Sequence, residues 1–257
     1  MFITPWDIDY LYRAFLICLR LGALLAPIPF WGTGALPMMV KIGFVLLFTN
    51  VVALATPETP HLPSHLLGMI VAGLHEVMVG LFMGFIVRIA FQSVVMAGEI
   101  ISIEGGFMRD NSFDPLSNQT GSAAEKLLSN FALVIFFSAG MHLQVFESFV
   151  KSFESIHMGV WVPSEGAMNG FISATAGIFV TAVEIAAPFL AINFVINMTF
   201  AVLGKAVPQM NVFVVSFAVL IVGGLVIMSM TLDVTAHQIL QTMGQTAVNM
   251  LNMAGAR

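Results

Sequence analysis

Apolar runs alternate with short breaks rich in proline, glycine and polar residues along the whole chain, and the run lengths predict helices. Residues 2–12 mix aromatics with Asp7 and Asp9, and Trp6, Tyr10 and Tyr12 suit a membrane–water boundary. Arg13 and Arg20 follow, then Leu21–Val40 without a charge, a run long enough to cross about 30 Å of hydrocarbon. Pro27, Pro29 and Pro37 interrupt it, which predicts a break near Ala26–Pro29 and a second start after Pro37. A further run, Ile42–Ala55, ends at the proline-rich connector 56–63. Leu66 to about Ser102 is apolar but holds His75, Glu76, Arg88, Gln92 and Glu99. As one helix it would run roughly 50 Å. Gly73, Gly80 and Gly84 lie near one face of it, at a spacing that lets helix backbones approach.

Between Glu104 and Lys126 the pattern stops. Gly105-Gly106, Asp114-Pro115, Asn118 and Gly121 crowd turn formers into one segment, which predicts a long loop. Such a loop cannot face lipid, because its backbone groups would go unpaired. It sits in water, against protein or in a wet cavity, and closing a passage is one task it could have. Leu127–Phe146 is again free of formal charge. Phe146, Phe149, Val150 and Phe153 then repeat at helical spacing with charges opposite, which predicts an amphipathic helix on a surface or a partner. After a connector at 161–166 comes the apolar stretch Ala167–Leu203, with Glu184 and a kink expected at Pro188. Residues 204–211, including Lys205 and Pro208, read as a polar hinge, and Val212–Leu232 as the last apolar run. In the tail, Gln238, Gln241, Thr242, Gln245, Asn249 and Asn252 form one polar stripe, predicting an amphipathic helix at about 234–254.

Composition sharpens this picture. Of 257 residues 58% are hydrophobic and 9% charged, against about 25% charged in ordinary soluble domains. The mean hydropathy is +0.96. The reading is an all-α, membrane-type bundle of kinked long hydrophobic helices and hairpins, organised as a single domain over residues 1–257. Its sparse net charge of −5 suggests no nucleic-acid partner, and membrane lipid is the expected surround. The first apolar segment, lacking a basic start and a small-residue cleavage site, is expected to be retained. Lys and Arg are few and evenly scattered, so no loop asymmetry orients the chain.

No enzyme constellation is present. Cys18 is the single cysteine and the six histidines are scattered; His61 and His65 flank Pro63 in a turn region, and no zinc spacing exists. There is no P-loop, dinucleotide fingerprint or Gly-x-Ser-x-Gly elbow, so neither catalysis nor a cofactor is expected. Glu76, Arg88, Glu184 and Lys205 are candidate buried ionisable residues, the usual pointers to transport. Salt-bridged packing or exposure at helix ends competes with that role. The 18 methionines read mostly as core filling, with Met108 in the loop set apart.

Three motifs stand in order: Ala97-Gly98-Glu99-Ile100-Ile101-Ser102 before the loop, Phe113-Asp114-Pro115 within it, and 208–215, Pro-Gln-Met-Asn-Val-Phe-Val-Val, near the end. With the proline-broken run 21–37 they resemble the FliR family of type III secretion export-gate subunits. The family often has Phe-Pro where this chain reads Phe217-Ala218. The resemblance implies a structural and gating subunit in a helical assembly at the flagellar basal body of the bacterial inner membrane. Its implied partners are FliP-type and FliQ-type gate subunits, an FlhB-type subunit, and unfolded flagellar export substrates and proximal rod proteins. It further implies a channel plug at about 105–122, comprising Gly105, Gly106, Phe107, Met108, Arg109, Phe113, Asp114, Pro115, Leu116 and Gly121. Phe107, Met108, Phe113 and Leu116 would close the lumen by apolar contact. The rival readings are the equivalent subunit of a virulence injectisome and a stand-alone secondary transporter.

Overall fold

The computed structural model describes residues 8–32, 36–56, 63, 65–105, 122–161, 164–207, 209 and 211–254, with backbone alone at 212–213 and 251–254. Among these residues every regular element is a helix. The order is α1 (Ile8–Leu25), α2 (Pro29–Gly32), α3 (Met38–Ala55), α4 (Leu66–Glu104), α5 (Ala123–Ser138), α6 (Met141–Ser155), α7 (Glu165–Ala206), α8 (Val212–Met230), α9 (Leu232–Gly244) and α10 (Thr246–Ala254). Packing divides the chain into two compact units. The first comprises residues 1–89, 140–174 and 244–257; the second comprises 90–139 and 175–243.

In the first unit the prolines act where expected. The first helix ends at Leu25, Pro29 opens the single turn of α2, and Pro37 caps α3 in an extended conformation with ψ 144°. On α1, Arg13, Leu16, Ile17, Arg20, Leu21 and Leu24 are buried, a 3–4 spacing that turns one stripe inward. Two polar ties hold α1 to α3: Tyr10 donates to Asn50 Oδ1 at 3.0 Å, and Arg13 Nη1 to the Thr56 carbonyl at 3.1 Å. The amphipathic α6 turns its apolar face onto this chain itself. Val145, Phe149 and Phe153 are buried in this chain's own core, and Phe48 meets Phe146 and Phe149 at ring centroid distances of 4.9 and 6.3 Å. Its charged pair, Lys151 to Glu147 at 2.6 Å, stays outside.

In the second unit, α5 opens on a capping box. Ser122 Oγ accepts from the Glu125 amide at 3.3 Å, and Glu125 Oε2 from the Ser122 amide at 3.1 Å. Phe91 of α4 packs edge-on against Phe136 of α5. Helix α8 runs without interruption past Phe217-Ala218, and Asn211 caps it by accepting from the Val214 amide.

Two breaks are absent from the apolar pattern. The run 127–146 is divided at Gly140, whose φ of +69° suits glycine. The tail is two helices with a turn at Gln245 rather than one. Along the two helices Thr235, Ile239, Met243, Thr246 and Met250 are buried. Two long elements exceed expectation. Helix α4 has 39 residues and α7 has 42; α7 continues through Pro188 and takes in Gly204 and Lys205, shortening the hinge. Helices α3, α4 and α7 are each long and apolar enough to cross a membrane. Among the described residues, the bent pairs Ala123–Ser138 with Met141–Ser155 and Val214–Met230 with Leu232–Met250 raise the number to five if each counts as one span.

Candidate functional site

The end of α4 and the start of α5 bring the two roots of the 105–122 segment together within the second unit. Gly98 permits this: a Cβ there would lie 2.6 Å from the Glu125 Cα. One turn on, the Ser102 hydroxyl donates to the Gly98 carbonyl at 2.7 Å and also contacts the Ser122 hydroxyl. Because the Ser102 proton is committed to that carbonyl, Ser122 is the donor between the two serines. Ser122 Oγ in turn accepts from Glu125, so each donor in this chain of links has an acceptor. Ser102 is fully buried and Ser122 nearly so.

A second tie comes from α7. Asn193, buried, donates from Nδ2 to the Glu104 carbonyl at 2.8 Å and to Glu104 Oε2 at 3.3 Å. A helix end leaves its last carbonyls without partners, and Asn193 satisfies one of them. Gly105, buried, closes the helix by donating to the Ile101 carbonyl at 2.8 Å. Of the sequence-read loop residues it is the one described. Gly106, Phe107, Met108, Arg109, Phe113, Asp114, Pro115, Leu116 and Gly121 lie outside the described residues, as do Pro208 and His61. Below the roots an apolar pocket is lined by Ile101, Leu128, Phe131, Ile185, Phe189 and Met228.

The four ionisable candidates have different surroundings. Glu76 is buried in the first unit against Arg20, with Nε–Oε2 at 2.5 Å and Nη2–Oε1 at 3.1 Å. Arg20 Nη1 also donates to Ser152 Oγ at 3.0 Å, and its guanidinium lies 4.1 Å from the centroid of the Phe153 ring. The side chains of Arg88, Glu184 and Lys205 are instead exposed on the chain. Glycines 73, 80 and 84 all face α1. A Cβ on Gly73 would lie 3.2 Å from Leu19 Cδ1, one on Gly80 would fall on the Arg20 carbonyl, and one on Gly84 on the Leu24 carbonyl. Pro188 lies within α7.

Sequence reading missed the Arg20–Glu76 pair, the two-serine contact and Asn193. A signal for the first was present: opposite charges isolated in two apolar helices cannot remain single in hydrocarbon. For Asn193 no local signal exists, since its partner is 89 positions away. Among the described residues, no group of three or more His, Cys, Asp or Glu could hold a metal ion.

Comparison with known proteins gives the chain a family. The model of a family described as bacterial export proteins, family 1, matches residues 11–246. The chain belongs to this family. The flagellar biosynthetic protein FliR of Caulobacter vibrioides is 28% identical over 223 residues, covering 86% of this chain and 89% of the relative. FliR of Escherichia coli is 24% identical over 218 residues, 85% of this chain and 83% of the relative. The Yop proteins translocation protein T of Yersinia pestis is 27% identical over 146 residues, 56% of each chain. The resemblance read from the order of the motifs is thereby borne out. An export-family subunit built of long apolar helices follows from the match and the fold together.

Proposed function

We propose that the chain is a structural and gating subunit of the flagellar type III protein export gate in the bacterial inner membrane. With FliP-type and FliQ-type subunits, and an FlhB-type subunit joining, it forms a channel for unfolded flagellar proteins, proximal rod proteins among them. It has no catalytic step of its own. The segment 105–122 serves as the plug, with Phe107, Met108, Phe113 and Leu116 as its apolar seal. The observation that carries this reading is the root: Ser102 to Ser122 and Glu104 to Asn193 hold the two ends of a polar segment at one place in an otherwise apolar chain.

The stand-alone transporter reading is weakened by Glu76, whose oxygens are occupied by Arg20 and a backbone amide. The injectisome reading is supported by the Yersinia relative, over a shorter stretch than the flagellar ones. Detergent extraction tests the assembly. The chain is expected to bring down FliP-type and FliQ-type subunits in a stable particle, and recovery of the chain alone would contradict the proposal. Loss of motility in a deletion strain is expected for the flagellar assignment; a motile strain that has lost virulence secretion would favour the injectisome.

A further inference from the structure

One turn of α4 is shaped around a single residue of the connector between α6 and α7. Gly159 stands there with φ +77°, a conformation that favours glycine, and a Cβ on it would come within 3.0 Å of the Ala72 Cβ. Its amide donates to Glu76 Oε1 at 2.8 Å, while its carbonyl lies 2.8 Å from His75 Nδ1. A carbonyl only accepts, so His75 carries its proton on Nδ1. Two consecutive helix residues thus hold the two polar groups of one residue, and Ala72 leaves no room for a side chain between them. Two residues further on, Trp161 is buried against Phe82, with ring centroids 5.6 Å apart. The Glu76 oxygens serve both this amide and Arg20, so the carboxylate has two separable tasks.

We propose that Ala72, His75 and Glu76 form a backbone seat that captures Gly159 and sets the path of the chain from α6 into α7, with Glu76 acting as a positioning residue. Its buried carboxylate is there to accept the Gly159 amide as well as to neutralise Arg20. A carboxylate placed only for charge would not need a glycine locked in the left-handed region against it.

Hydrogen exchange of the 156–161 segment, measured by mass spectrometry on the detergent-extracted full chain, separates the two tasks. Single changes at Glu76 leave Arg20 buried without its partner and can prevent folding, so both carboxylate variants are made with Arg20→Met. In R20M/E76Q the amide oxygen still accepts from Gly159, and exchange is expected within about threefold of the parent chain. In R20M/E76L no acceptor remains, and exchange is expected to be at least about tenfold faster. Gly159→Ala, with Arg20 and Glu76 intact, is expected to accelerate exchange as well. Equal protection in the two double variants, rapid exchange in both, or unchanged exchange in Gly159→Ala would each overturn the proposal.

Discussion

Gly80 and Gly84 carry the closest approach of α1 to α4, because a side chain at either would occupy a backbone carbonyl of α1. Gly80→Leu therefore has to push α1 away, at a cost of about 1–3 kcal/mol by ordinary overpacking. A lower melting temperature of the detergent-extracted chain is the expected result. The Arg20–Glu76 pair makes a different prediction. Arg20→Met alone leaves a buried carboxylate uncompensated and should cost about 3–5 kcal/mol, with much of that regained in R20M/E76Q. Thermal unfolding of both variants measures the difference. At this scale sequence spacing showed which face of α4 is small, since Gly80 and Gly84 lie four apart. It could not show that α1 covers that face, nor that Arg20 meets a carboxylate 56 positions away. Long-range pairing leaves no mark on local periodicity.

Among the elements, the ones bounded by chemistry were legible. Proline fixes φ and removes a donor, so the breaks around Pro29 and Pro37 followed from residue type. The break at Gly140 did not, because the apolar run is continuous across it and a lone glycine is tolerated in many helices. Pro188 stands inside α7, which extends on both sides of it from Glu165 to Ala206. The root of the 105–122 segment depends on the α5 cap. Ser122→Ala removes the cap and the donor to Ser102 together, and should cost about 1–2 kcal/mol. Faster hydrogen exchange over residues 123–126, with the rest of α5 little changed, is the outcome expected. The position of this site was legible as a cluster of turn formers. The ties that anchor it were not, because Asn193 comes from a helix far along the chain.

The molecule leaves much apolar surface open along its long helices. Leu47 on α3 is 72% exposed, Phe179 on α7 60% and Val222 on α8 63%. Surfaces of this kind belong against lipid or partner helices. The chain is expected to stay with the membrane fraction after alkaline or high-salt washing and to need detergent for release. Release by salt alone would contradict that placement. The central claim, that the 105–122 segment closes a passage, is tested most directly by ion conductance. Residues 107–120 would be deleted and the purified export-gate particle reconstituted in planar bilayers. A steady leak relative to the undeleted particle is the predicted result. A particle that assembles intact and remains as tight as the undeleted one would contradict the account.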